Sequence, residues 1–160
     1  MNFIVRRMDT AEYPLLKDFC YESIFVPEGE PLPPKSVVEH PLMQVYYADF
    51  RSEKHDIAFV AETDGNIVGA VWVRIMDDFG HIDNDTPSFA IAVHKEYRGM
   101  GIGTALMERM LTELQTRGYQ QASLSCQKAN RAVELYRRLG FRVIRETDEE
   151  FIMAVSLCDL

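Results

Sequence analysis

At 160 residues, 47% of them hydrophobic and 26% charged, the chain is long enough to bury a core and is read as one globular domain. Its formal net charge of −8 argues against a general nucleic-acid surface or an anionic membrane as the partner, and weakly suits a cationic small substrate. The three widely spaced cysteines, Cys20, Cys126 and Cys158, suit free thiols in a reducing compartment better than disulfides; with no signal-like N-terminus and no apolar run of membrane-spanning length, the expected location is cytoplasmic.

In chain order, Phe3-Ile4-Val5 is a short strand signal. Asp9 and Glu12 stand in capping-box relation, which predicts a helix from there to about Ile24. Residues 25–34 carry four prolines and a glycine and form a loop. A second helical stretch follows from Ser36 to Phe50, interrupted at His40-Pro41. Ile57–Thr63 and Ile67–Ile75 are rich in strand formers, and Asp64-Gly65-Asn66 between them is a hairpin turn. Asp77 to Thr86 is polar and acidic, hence a loop. From Pro87 to Val93, Phe89, Ile91 and Val93 alternate with Ser88, Ala90 and Ala92, a strand pattern.

Ile102, Leu106, Met110 and Leu114 then recur every four residues, with Ala105 and Leu111 widening the stripe; this is a helix packed on a sheet and ending at Gly118. Ala122, Leu124 and Cys126 alternate as the next strand. Asn130 to Leu139 is a short helix stopped by Gly140, and Phe141–Arg145 with Phe151–Leu157 forms a terminal hairpin. No repeat or second domain interrupts residues 1–160. The order β-α-α-β-β-β-α-β-α-β-β predicts an α/β protein with a mixed sheet, in which one helical crossover joins the strands at 87–93 and 121–127 as a parallel pair.

The segment Tyr97-Arg98-Gly99-Met100-Gly101-Ile102-Gly103-Thr104 lies between a strand and a helix N-terminus. Such a turn gathers backbone N–H groups that have no intrahelical acceptor, and the helix dipole adds partial positive charge. Glycine lets a phosphate approach the backbone, and Arg98 and Thr104 flank the turn with compatible donors. A plain tight turn is the competing reading. The spacing G-x-G-x-G is neither the Walker loop, which needs Gly-Lys-Ser/Thr, nor the G-x-G-x-x-G of a dinucleotide fold.

Arg98-x-x-Gly101-x-Gly103, preceded by Ile91-Ala92-Val93, resembles motif A of the GCN5-related N-acetyltransferase (GNAT) superfamily, whose pattern is Q/R-x-x-G-x-G/A. Downstream, Asn130 to Phe141, with Tyr136 and Leu139-Gly140-Phe141, resembles its motif B. The resemblance is specific over about residues 87–145 and weak before residue 55. It implies a central twisted mixed sheet flanked by about four helices, and acetyl-CoA as acyl donor. The diphosphate of the donor would lie on the turn formed by Arg98, Gly99, Met100, Gly101, Ile102, Gly103 and Thr104. The pantetheine arm would pair with the strand carrying Ile91, Ala92 and Val93. That strand and the one at 121–127 would splay to admit the thioester. Close helix packing is the other explanation for the small residues Ala90 and Ala92.

On the same resemblance, Tyr136 is the general acid that protonates the departing thiolate, though its helical spacing with Val133 and Leu139 also fits a core aromatic. Asn130 is expected either to bond the pantetheine or to cap its helix. An oxyanion donor is expected from a backbone N–H near Val93. Many members carry a glutamate at the start of the strand before motif A. This chain departs from that pattern, with Thr86-Pro87-Ser88-Phe89 there. Asp85 is the carboxylate expected as base, with Asp83, Glu22 and Glu28 as others able to act through water; for each of them separately, a solvated acidic loop residue is the better reading. Lys95 and Lys128 are further candidates for phosphate contact, with plain surface charge as the rival reading. His40, His55, His81 and His94 show no metal-ligand spacing, so no metal is expected. The aromatic-rich stretch 9–55 and the loop with Glu28 and Glu30 are expected to shape an acceptor pocket for an amine of a small molecule or peptide. The leading expectation is an N-acetyltransferase. A silent acyl-CoA sensor of the same fold and an acyltransferase using longer acyl chains or a hydroxyl acceptor are the alternatives. A homodimer is compatible with the sequence, which does not fix the oligomeric state.

Overall fold

In a computed structural model, which describes residues 2–51 and 54–158, the chain forms a mixed α/β fold. The described strands are β1 (Ile4–Arg7), β2 (Ile57–Thr63), β3 (Asn66–Arg74), β4 (Ser88–Val93), β5 (Gln121–Gln127), β6 (Arg142–Glu146) and β7 (Glu150–Ser156). The α-helices are α1 (Leu15–Glu22), α2 (Pro41–Gln44), α3 (Ile102–Thr116) and α4 (Ala132–Arg138). The strands join one sheet in the order β1-β2-β3-β4-β5-β7-β6. β4 and β5 run parallel, joined by the α3 crossover, and the other neighbouring pairs run antiparallel. Among the described residues no helix is long and apolar enough to cross a membrane.

The two faces of the sheet carry separate cores. On one face the predicted stripe of α3 buries Ile102, Leu106, Met107, Met110 and Leu114 against Phe59, Val71, Val73 and Leu124. On the other, Leu16 and Phe19 of α1 pack with Met8 and Val38 on Val60, Trp72 and Ala90. Each such large side chain, fully buried, contributes roughly 1.5–3 kcal/mol.

Two predicted helices come out shorter than their sequence pattern. The Asp9–Glu12 capping bond forms, with the Asp9 N–H donating to Glu12 Oε1 at 2.8 Å. It closes only a 3-10 turn (Thr10–Glu12), and the α-helix starts after Pro14, which has no N–H to continue the ladder. The stretch from Ser36 to Phe50 becomes a 3-10 turn (Lys35–Glu39), the four-residue α2 and a run of turns. His40 is extended there, as a residue before proline prefers, and its Nδ1 accepts from the Leu42 N–H at 3.1 Å.

The turns after α2 are instead held from the sheet. Arg74 Nη1 donates to the carbonyls of Val45 (3.1 Å) and Ala48 (2.8 Å), while its Nη2 pairs with buried Asp56 Oδ2 at 2.9 Å. Trp72 Nε1 donates to the Tyr46 carbonyl at 2.8 Å. Tyr46 is therefore fixed in place by the core although it lies in no regular element.

Between β3 and β4 the acidic loop folds inward at one point. The Ser123 hydroxyl donates to the Gly80 carbonyl at 2.7 Å, and a Cβ on Gly80 would stand 3.0 Å from the Leu124 carbonyl carbon and 3.1 Å from the Ser125 nitrogen. Those are backbone atoms that cannot yield. Gly80→Ala is expected to lower stability by about 1–3 kcal/mol in urea unfolding; an unchanged midpoint would contradict this close approach.

Candidate active site

β4 and β5 share a single paired position, Ser88 with Ser123, where the Ser123 N–H donates to the Pro87 carbonyl at 3.0 Å. Beyond it the strands part. The gap opens into a cavity of about 320 Å³ lined on one side by Phe89, Ala90 and Ile91 and on the other by Leu124, Ser125, Cys126 and Gln127. Asn130, Tyr136 and Glu150 close it at the C-terminal ends of the strands, and Ser23, Ile24, Phe25, Met43, Tyr46 and Phe79 approach from the N-terminal helices and the inward loop.

The open edge of β4 faces this cavity. The His94 N–H bonds to the Val68 carbonyl of β3 at 2.8 Å, and antiparallel alternation then turns the N–H groups of Ile91 and Val93 away from β3 toward the gap. Ala92 is buried, while Ile91 and Val93 are half-buried.

At the end of β4 the chain makes a short 3-10 turn (Lys95–Tyr97) and enters the glycine turn. Gly99 (φ 77°) and Gly101 (φ 86°) are left-handed, which is why these positions favour glycine. A Cβ at either would meet nothing within 4 Å, so the space over the turn is open. The first backbone bond of α3 runs from the Ala105 N–H to the Gly101 carbonyl at 3.1 Å. Among the described residues, none of the amides from Gly99 through Thr104 donates to another backbone carbonyl. Met100 is exposed, Ile102 is buried in the core, and Gly103 and Thr104 are half-buried. Arg98 folds back rather than reaching outward: its Nε donates to the Val93 carbonyl at 2.9 Å and its Nη2 lies 3.5 Å from Glu22 Oε2.

Tyr136 projects from α4 into the cavity and is 7% exposed. It packs edge-on against Phe141, with ring centroids 6.0 Å apart, and among the described residues no protein group accepts from its hydroxyl. Burial, helped by Cys126, pushes the phenol well above its ordinary range, so it stays a neutral donor. Burial and then Glu150 push the Cys126 thiol up to about 11, which keeps it protonated and a poor nucleophile near neutral pH. Asn130 Oδ1 accepts from the Ala132 N–H at 2.9 Å, capping α4, and the residue also lines the cavity.

The profile of the acetyltransferase (GNAT) family matches residues 20–141, most of the chain. The chain belongs to that family. It is 27% identical over 128 residues to an N-alpha-acetyltransferase of Sulfurisphaera tokodaii, a match covering 70% of this chain and 76% of that protein. In fold it is similar to yncA of Salmonella typhimurium, a putative acetyltransferase solved with acetyl-CoA (TM-score 0.71, 18% identity, 98% of this chain and 95% of that one). It is also similar to the ribosomal-protein-S18-alanine N-acetyltransferase of Escherichia coli (TM-score 0.68, 19% identity, 98% and 94%).

The carboxylates of this GNAT acetyltransferase are distributed unevenly about the cavity. Asp85 is exposed, and its own N–H turns onto Asp83 Oδ1 at 2.9 Å; it is not among the residues that line the cavity. Glu28 and Glu30 are exposed on the proline-rich loop. Glu22 pairs with His94 Nδ1 at 3.2 Å, and the His94 ring stacks on Phe19. Three residues that the sequence reading did not single out do reach the cavity or its wall. Glu150 lines it and accepts from Gln127 Nε2 at 3.1 Å. Tyr46 lines it, and burial lifts its phenol far above the ordinary range. Asp78 Oδ2 accepts from the Ser88 hydroxyl at 2.7 Å, while Oδ1 is buried with no hydrogen-bond partner. The local signal for Asp78 is the Phe79-Gly80 pair beside it in an acidic run.

Proposed function

We propose that this acetyltransferase moves the acetyl group of acetyl-CoA onto a primary amine of a peptide or small molecule, by direct attack in a ternary complex. The observation that carries this reading is the gap between β4 and β5, which opens on the strand that leads into the glycine turn and is lined by Tyr136. The donor fits the residues present: the open space over Gly99 and Gly101 suits a diphosphate, and the outward N–H groups of Ile91 and Val93 suit an extended amide-bearing arm. The names of the Sulfurisphaera and Escherichia relatives support an amine acceptor, and the Salmonella complex supports the donor.

In this reading the amine nitrogen, once deprotonated, attacks the thioester carbon. The Val93 N–H steadies the oxyanion, the C–S bond breaks, sulfur takes the proton of Tyr136, and the surplus proton of the attacking nitrogen restores the Tyr136 phenol, leaving an amide and free CoA. The protonated Cys126 thiol supports direct transfer over an acyl-cysteine intermediate. Buried Cys20 and Cys126 and exposed Cys158, all free thiols, support a cytoplasmic setting.

Calorimetric titration with acetyl-CoA, paired with CoA-thiol release over a panel of peptide and small-molecule amines, tests the reading. Acceptor-dependent release is expected. Binding without release would contradict catalysis and favour the acyl-CoA sensor.

Asn130 both caps α4 and lines the cavity, so Asn130→Ala is expected to cost about 1 kcal/mol of stability and to raise the KM for acetyl-CoA severalfold. A stability loss with KM unchanged would leave Asn130 a cap alone.

A further inference from the structure

The cavity between β4 and β5 is lined from both faces of the sheet. Along β5, Leu124 and Cys126 belong to the core under α3, so Ser123, Ser125 and Gln127 point to the α1 face. Gln127 pairs with Glu150 across the β5–β7 ladder, and residues directly opposite each other in an antiparallel pair share a face. Glu150 therefore stands on the α1 face, whereas Tyr136 enters the cavity from the α3 core on the other. Ile24, Met43 and Tyr46, which pack on the α1-side core, line the cavity from the same face as Glu150. With Tyr136 giving its proton to sulfur, the sulfur lies toward the α3 face and the amine reaches the acyl carbon from the α1 face. We propose that Glu150 holds the ammonium of the acceptor on that face and takes its proton, across the gap from Tyr136. This rests on the acetyl-transfer reading above.

Among the described residues that line the cavity, Glu150 is the only one with a charged side chain. Its position is fixed. The Glu150 N–H donates to Thr147 Oγ1 at 3.1 Å, its carbonyl accepts from the Thr147 N–H at 2.9 Å, and Oε1 accepts from Gln127 Nε2 at 3.1 Å. Among the described residues nothing donates to Oε2, and no cation pairs with the carboxylate. The rest of the α1 side of the cavity is largely apolar, with Ile24, Phe25, Met43 and Phe79. An ammonium bound there supplies the counter-ion that the protein does not, and a carboxylate facing an apolar wall is a strong attractor for one. The other nearby carboxylates are committed elsewhere and do not line the cavity: Glu22 pairs with His94 and Arg98, and Asp78 accepts from Ser88.

The titratable and charged groups around Glu150 are Cys126 on β5, Lys128 just past it, Glu146 on β6, Arg137 and Tyr136 on α4, and the exposed Asp148 and Glu149 of the preceding turn. Lys128 is engaged by Glu146 at 3.0 Å, and it and Arg137 lie over the Phe151 ring. Phe151 pairs with Cys126 and so points to the face opposite Glu150, which keeps both cations on that other side. In the step proposed, the ammonium rests on Oε2, one of its protons passes to the carboxylate, and the freed lone pair forms the C–N bond as the C–S bond breaks. A second nitrogen proton restores Tyr136, as above. The protonated Glu150 carboxyl gives its proton to solvent once the amide has left, so the cycle yields an amide, CoA thiol and one released proton.

The test compares Glu150→Gln and Glu150→Asp with the wild type from pH 6 to 9.5, using the most rapidly acetylated amine of the panel above. Glu150→Gln keeps the side chain's shape and is expected to lose roughly 10²-fold in kcat/KM at pH 7, the deficit shrinking as pH rises and the amine deprotonates unaided. Its dissociation constant for acetyl-CoA and its melting temperature should stay at the wild-type values. Glu150→Asp keeps the charge and should retain more activity than Glu150→Gln at pH 7. Unchanged kcat/KM in Glu150→Gln, or a deficit constant across pH, would overturn the assignment. So would weakened acetyl-CoA binding in that variant, which would put the carboxylate on the donor's side, or a pH-dependent loss found instead in Asp78→Asn or Glu22→Gln. A wild type that binds acetyl-CoA yet acetylates no amine would overturn the acetyl-transfer reading itself.

Discussion

Gly101→Val is expected to weaken acetyl-CoA binding by roughly 10³-fold, about 4 kcal/mol, in a protein that still folds. Gly101 is left-handed at φ 86°, a conformation that costs an ordinary L-residue roughly 1–2 kcal/mol and a β-branched one more. Nothing in the chain lies within 4 Å of its would-be Cβ, so valine would intrude on the space held open for a ligand and not on the core. The ligand would lose both the close approach and several charge-assisted hydrogen bonds from the amides between Gly99 and Thr104, each worth roughly 1.5–3 kcal/mol. Gly118, at the far end of α3, has a matching φ of 87° with equally open space. Gly118→Val therefore carries comparable strain without touching the turn, and its affinity for acetyl-CoA should match the wild type. Calorimetry on both variants, with circular dichroism to confirm the fold, separates strain from loss of the cradle.

Tyr136→Phe is expected to cut kcat by roughly 10²–10³-fold while the dissociation constant for acetyl-CoA stays within about twofold of the wild type. The ring is buried against Phe141, and phenylalanine keeps that packing. The hydroxyl is bound to no protein acceptor among the described residues, so its removal leaves no partner stranded. What is lost is the proton for the departing sulfur, so the deficit should be smaller with thioesters whose thiol is more acidic. Equal turnover in the two proteins would remove Tyr136 from the chemistry and leave it a core aromatic.

The periodic elements were legible because they answer to local rules. The α3 stripe, the β2–β3 hairpin about Asp64-Gly65 and the alternation through β4 and β5 each occupy nearly the predicted span. The parting of β4 and β5 was expected from the family resemblance and is present as a single paired position. Before residue 55 the pattern was weaker. There Pro14 and Pro41 divide stretches whose composition is otherwise helical, and tertiary bonds from Trp72 and Arg74 fix the turns that follow.

The acidic loop was the least legible part. Asp77, Asp78, Asp83 and Asp85 are chemically alike in sequence, yet Asp78 is drawn inward while Asp83 and Asp85 face solvent. The cause is nonlocal: Gly80 lies against the backbone of Leu124 and Ser125, and Ser88 supplies the bond to Asp78. Neither contact leaves a periodic trace. Arg98 shows the reverse case, a motif residue at the predicted position whose side chain spans Val93 and Glu22.

The central claim is that the main-chain amides opening α3 grip the diphosphate of the acyl donor. The most direct measurement is an amide-resolved nuclear magnetic resonance titration of the full chain with acetyl-CoA. The largest saturable shifts are predicted for the N–H groups of Gly99 to Thr104, with a second set at Ile91 and Val93. Saturation with those amides unmoved would contradict the account.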